Sequence, residues 1–205
     1  MDIAIPLDSK SRLLEATLKV VRAKGYYAAR IEDICAEAGL TKGSFFHHFR
    51  SKEDLALAAA DHWHDYTSGY FADAPYHAPA DPLDRLLAYV DFRIAGLVGE
   101  LPEYTCFAGM IVQETYHSHP AISAACARNI GGHARSLEAD ISAAMEKYGV
   151  SSDWTAESLA LHTQAVVQGA LILAKVKGHA GPAADSLGHL RRYLKLLFIG
   201  DRHEA

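Results

Sequence analysis

Residues 25–55 read GYYAARIEDICAEAGLTKGSFFHHFRSKEDL, and this stretch decides the fold. Within it, Ile31, Ile34, Cys35 and Ala38 recur at the three- and four-residue steps of one helix face and stop at Gly39. A glycine there permits the tight reversal that Leu40 and Thr41 complete. The next segment, Lys42 to Phe49, sets Phe45 and Phe49 four apart on one face and leaves Lys42, Ser44, Phe46 and His47 on the others. Ser51, with Asp54 three residues on, has the spacing of a capping box, so a long helix is expected to begin just after it. Two short helices joined by a glycine turn, the second held from behind by buried aromatics, fit the arrangement that lets a polar helix face enter the major groove of DNA; the spacing fits equally two ordinary core aromatics beside a solvated polar face.

Working outward, Asp8 or Ser9 can cap an earlier helix in which Leu14, Leu18 and Val21 share a stripe, ending at Lys24 with Gly25 beyond. Downstream, the long helix continues through Ala58, His62 and Tyr66 until Pro75, Pro79 and Pro82 break the chain. Helical spacing then predicts segments over 81–99, 103–116, 120–148, 153–177 and 185–198. No stretch alternates over strand length between turn residues, and no repeat of solenoid period occurs. The expected class is all-α: a three-helix helix-turn-helix domain at 1–54 and a helical-bundle regulatory and dimerisation domain at 55–205.

The net charge of -5 argues against wholesale coating of nucleic acid. Its distribution is uneven, with nine basic against eight acidic side chains up to Leu55 and eleven against seventeen beyond. A near-neutral head on an acidic body fits a protein that touches DNA at one end, since the body repels phosphates. Met1 to Ser9 lacks the basic start and apolar stretch of a secretory signal, and no run approaches the ~18 apolar residues of a membrane span. Cys35, Cys106 and Cys126 are few, odd in number and without paired metal spacing. A cytoplasmic protein with no membrane partner, no cofactor and no disulfide framework is the expectation.

The stretch 25–55 closely resembles the helix-turn-helix signature of TetR/AcrR-type transcriptional regulators, and the all-helical remainder looks like that family's regulatory body in outline. The resemblance implies a repressor that binds a palindromic operator in double-stranded DNA as a homodimer and is released by a small effector. It places Thr41, Lys42, Gly43 and Ser44 at the start of the recognition helix, Phe46 at an aromatic position facing DNA with His47 following, and Lys52 at a backbone-contacting lysine. Two departures stand out. Ala29 and Arg30 replace a small hydroxyl residue at the start of the second helix, so Arg30 offers a charged phosphate contact in its place. Phe46, where many relatives carry Tyr, lacks one phosphate-bonding hydroxyl.

In the body, residues 165–174, AVVQGALILA, are apolar around almost the whole circumference, so that helix must be covered on more than one side. Gln168, Leu171 and Ile172, together with Leu187, Leu190, Leu194 and Leu197 on the last helix, are expected to pair with their copies in a four-helix dimer interface. The alternative is that both helices lie inside a monomer's core. Candidate effector contacts are Trp63, Tyr66, Tyr70, Phe92, Cys106, Met110, Gln113, Glu114, His117 and His162, a set that suits a drug-sized, mostly apolar molecule. Individually, each is also an ordinary core or surface residue.

Twelve histidines invite a metal reading, but His62 with His64 and His117 with His119 are two apart and do not share a helix face. No His-Glu-x-x-His motif is present, so no metal site is expected. An enzyme using Glu114, His117 and Cys106 is the main competing class, yet no nucleophile elbow, phosphate loop or dinucleotide fingerprint accompanies them. A helical adaptor would leave the Thr41 to His47 face unexplained. The chain is therefore read as a non-enzymatic regulator.

Overall fold

Asp8 begins the described part of this computed structural model, which comprises residues 8–200; residues 1–7, read above for a secretory signal, lie outside it. The Asp8 carboxylate accepts the Ser11 N–H at 2.7 Å and caps α1, Ser9–Lys24, which buries Leu13, Leu14, Leu18, Val20 and Val21 along one side. Gly25 follows at φ 89°, a conformation that favours glycine. Helix α2 is Ile31–Ala38 and α3 is Lys42–His48, with Gly39 between them in the left-handed region at φ 62°. Helix α4 runs Lys52–Ala72, and Ser51 Oγ accepts the Asp54 N–H at its start, as the capping spacing predicts. The Asp54 carboxylate accepts the N–H of Arg50, one residue earlier than in the standard box.

The three prolines end α4 as expected, with a short 3-10 turn at Pro75–His77 before α5, Pro82–Ala95. The segment expected over 103–116 is two helices, α6 at Leu101–Tyr104 and α7 at Phe107–Thr115. The break falls where the Cys106 sulfur accepts the Gly109 N–H and caps α7, a role that helical periodicity does not reveal. Helix α8 spans Pro120–Tyr148, α9 spans Ala156–Lys177, and α10 spans Gly181–Ile199, four residues earlier than expected because Pro182 is tolerated in its first turn. No strand occurs among the described residues, so the class is all-α.

The chain packs as two compact units. The first contains the described residues to Thr67 together with Thr105–Asn129; in it α1 packs on α2, α3 and α7 around Leu13, Ile34, Phe45, Leu55, Phe107 and Ile111. The second contains Ser68–Tyr104 and the described residues from Ile130; in it α10 packs on α5 and α9 around Leu83, Tyr89, Leu137, Ile141 and Leu187. The sequence expectation divides the chain once, at 54/55, whereas packing groups α7 and the first part of α8 with the N-terminal helices.

Helix α9 is long and apolar enough to cross a membrane by length and composition alone. The expectation above counted uninterrupted apolar residues, and Gln164 and Gln168 interrupt such a run without lowering the average enough to matter. One side of α9 nevertheless buries Leu159, Val167, Ala170, Leu171 and Ala174 inside the second unit.

Candidate nucleic-acid interface

The recognition segment is positioned from beneath. Phe45 is 0% and Phe49 3% exposed, and the Phe45 ring meets those of Phe46 and Phe49 at centroid distances of 5.0 and 6.0 Å. Burying Phe45 within this seven-residue helix and Phe49 at its C-terminal cap fixes the helix rotation, because so short a helix has little hold of its own. Thr41 Oγ1 accepts the Ser44 N–H at 3.2 Å and caps the helix. The turn before it is held by Arg12 of α1, whose guanidinium donates to the Ala38 carbonyl at 2.6 Å. That bond satisfies a carbonyl at the negative end of α2 with a cation.

Rotation of α3 on its aromatics leaves Thr41, Lys42, Gly43, Phe46 and His47 exposed, with Ser44 partly so. Phe46 stands 57% exposed, a large apolar ring left in water beside polar neighbours. Lys42 forms an ion pair with Glu32 of α2, and the bond to Lys42 is the main reason the Glu32 carboxyl sits below its ordinary pKa. Arg30 is exposed at the start of α2. There the Asp33 carboxylate accepts the Arg30 N–H at 2.9 Å and meets Lys24 at 3.0 Å, which supplies one half of a capping box, while Arg30, having no acceptor, cannot supply the half a small hydroxyl would.

Lys52 is half-buried and turned toward the loop between α1 and α2. Its Nζ donates to the carbonyls of Tyr26 and Ala29, each at 3.0 Å, and stands 4.4 Å from the Tyr26 ring centroid. Burial pushes its pKa down, while the Glu114 carboxylate nearby pushes the other way.

Of the body candidates, Trp63, Tyr66, Cys106, Met110, Gln113, Glu114 and His117 belong to the first unit, and Tyr70, Phe92 and His162 to the second. In the first unit the Trp63 ring lies 6.0 Å from Tyr66 and 6.4 Å from Phe107, with the Arg22 guanidinium 5.0 Å above it. Arg22 also donates to the Thr105 carbonyl at 3.5 Å. Trp63 Nε1 and Thr105 Oγ1 are buried without a hydrogen-bond partner among the described residues. Glu114 accepts backbone N–H groups and Gln113 donates to the Gly109 carbonyl; Gln113 and His117 are exposed. In the second unit Tyr70 stacks on Phe92 at 5.2 Å, and His162 meets Tyr193 at 5.4 Å on the surface.

The leucines expected at the dimer surface need correction. Leu171, Leu187, Leu190 and Leu194 are between 1% and 5% exposed within the single chain, where α10 packs on α5 and α9. A side chain already enclosed by its own chain has almost no area left to bury against a copy. Gln168 and Leu197 are half-buried, and only Ile172 of the seven is exposed. The outward apolar residues of these helices are Leu161, Ile172, Leu173 and Val176 on α9 and Tyr193 and Leu196 on α10.

Two family models match the chain: that of bacterial regulatory proteins of the tetR family over residues 13–59, and the tetracyclin repressor-like C-terminal domain over 82–190. The chain belongs to the TetR family. It is thus a helix-turn-helix, DNA-binding transcriptional regulator by family. Curated relatives include the regulators LmrA of Bacillus subtilis, 32% identical over 84 residues (40% of this chain, 44% of that one), and CymR of Pseudomonas putida, 40% identical over 52 residues (25% and 26%). The first curated relatives are matched over only 19% to 47% of their own lengths.

Solved TetR-family structures share the fold across almost the whole chain. One from Agrobacterium tumefaciens superposes at TM-score 0.80 with 19% identity over 90% of this chain and 96% of that one. The reduced form of Escherichia coli NemR superposes at TM-score 0.78 with 19% identity over 96% of this chain and 100% of that one. Such identities carry the TetR fold and no particular effector.

Sequence reasoning missed two features of this TetR-family chain. One is a buried polar cluster in the second unit: the Tyr89 hydroxyl lies 2.8 Å from His133 Nε2 and accepts from Gln164 at 3.1 Å, with Phe71 stacked 4.1 Å from His133. No short motif joins positions 71, 89, 133 and 164. The other is the partnership of Lys52 with the loop at 26–29, whose signal in the sequence was a single lysine already given another role.

Proposed function

We propose that this chain is a ligand-responsive transcriptional repressor that binds a near-palindromic operator as a homodimer and is released by a small, mostly apolar effector. The observation that carries the reading is the rotation of α3: aromatics buried behind it leave Thr41, Lys42, Gly43, Phe46 and His47 on one outward face. Lys42 and Arg30 supply phosphate contacts, while Ser44, Phe46 and His47 reach base edges. Two such faces about one DNA turn apart match two half-sites.

The second subunit binds the outer faces of α9 and α10. Leu161, Ile172 and Val176 fall on one stripe of α9 and are all exposed, an apolar face for a partner to cover. A ligand that binds better when the two heads are out of register shifts the population away from DNA by its differential affinity. The unpartnered Trp63 Nε1 and Thr105 Oγ1 offer such a ligand polar anchors beside apolar rings. The chain acts in the cytoplasm and catalyses no reaction.

Selection from a random duplex library at near-physiological salt tests this reading. Enrichment of a palindrome is the expected result, whereas enrichment of a single half-site, or of nothing, rejects operator binding as a dimer.

A further inference from the structure

The loop between α1 and α2 is gripped from two sides by side chains distant in sequence. The Glu114 carboxylate, in the last turn of α7, accepts the N–H of Tyr26 at 3.1 Å and of Tyr27 at 2.8 Å. Lys52, the first residue of α4, donates to the carbonyls of Tyr26 and Ala29. Ala29 N–H goes to the Gly25 carbonyl and Arg30 N–H to Asp33, so the loop's polar backbone is largely satisfied by these few bonds. The turn after α7 adds a third hold: the Tyr27 hydroxyl lies 2.7 Å from Ser118 Oγ, which is 2.8 Å from His119 Nδ1, and the His119 ring meets Tyr26 edge-on at 5.3 Å.

We propose that Glu114 and Lys52 are positioning residues for operator binding, clamping residues 25–29 so that α2 and the recognition helix are presented at one fixed pitch. The proposal rests on the operator-binding reading above and reassigns both residues, Glu114 from the effector and Lys52 from the phosphates. A carboxylate accepting two successive N–H groups fixes the orientation of that backbone, because both oxygens must be in place at once. Two of the three N–H groups of the Lys52 ammonium are held by carbonyls and the charge sits over a ring, so at most one donor is left for a phosphate. Gly25 permits the arrangement, since a Cβ there would stand 2.3 Å from Glu114 Oε1. The Arg22 bond to the Thr105 carbonyl ties the residues just before α7 to α1, so both ends of this short helix are linked to the head.

The test compares the intact chain with Glu114→Gln and Lys52→Met, using the duplex that the unmodified chain enriches and titrating salt. Glu114→Gln keeps the shape but one acceptor only. A loss of affinity of about tenfold or more is expected in each variant, with the salt dependence unchanged. Amide exchange at Tyr26 and Tyr27 is expected to quicken in Glu114→Gln while that at Gly25, bonded to Val21, does not. A salt slope reduced by about 0.9 in Lys52→Met identifies a phosphate contact and overturns the clamp. Unmodified affinity in Glu114→Gln overturns it as well. An intact chain that enriches no duplex rejects the regulator reading and this role together, whereas the other two outcomes reject this role alone.

Discussion

His133 departs far from the chemistry of a free side chain. Burial beside Tyr89 and Phe71 holds its imidazole neutral, with a pKa lowered to about 3, and Arg93 adds to the depression. The unfolded chain binds a proton near the ordinary value of 6.5, so between about 6.5 and 3 the unfolded state holds more protons than the folded one. This contribution to stability is complete above pH 6.5 and is lost as pH falls, at about 1.4 kcal/mol per pH unit. Denaturant unfolding at pH 7, 6 and 5 is expected to show this slope in the native chain and its absence in His133→Gln; parallel curves refute it. Lys42 gives a second prediction at this scale. Its substitution by alanine is expected to weaken binding to all duplexes and lower the salt slope by about one, since its ion pair with Glu32 is exposed and exchangeable for a phosphate. An unchanged slope removes Lys42 from the interface.

At the scale of elements, helix ends were legible where an Asp or Gly marked them, and not where a cysteine caps, as Cys106 does at α7. Asp8, Gly25 and Gly39 act within four residues of themselves, so the ends of α1 and the end of α2 follow from the chain. Phe45 and Phe49 likewise showed which side of α3 is held, because four-residue spacing and aromatic size are both written in the sequence. What lay 88 residues away was not legible: nothing local distinguishes a glutamate that will accept from Tyr26 from one that faces a ligand. The leucines of α10 illustrate a different limit. Periodicity reports that Leu187, Leu190 and Leu194 need a cover, but not whose, and α5 and α9 of the same chain supply it. Leu194→Ala is accordingly expected to cost about 2–5 kcal/mol of stability by opening a cavity, measured by denaturant titration. A near-neutral substitution would return Leu194 to a surface.

For the whole molecule, the exposed apolar residues of α9 and α10 carry the prediction. Val176→Glu combined with Ile172→Glu is expected to yield a folded monomer in sedimentation, with operator affinity lowered by loss of the second head, because both side chains lie in solvent in the isolated chain. A dimer that survives these charges places the interface elsewhere. Fold class and the helix-turn-helix were legible because they depend on contiguous pattern. The outward apolar stripe of α9 was not, because which side of an apolar helix remains outside depends on the packing of every other helix.

Gly25 and Glu114 lie 89 positions apart, yet a methyl group at one would occupy the space of the other's carboxylate oxygen. A side chain at position 25 would meet two obstacles, a φ of 89° that L residues rarely adopt and the carboxylate of Glu114, and shortening residue 114 removes only the second. It would also withdraw the acceptor of two backbone N–H groups. Glycine is thus the fixed member of the pair. Across descendants of this chain, position 25 should stay glycine whatever stands at 114.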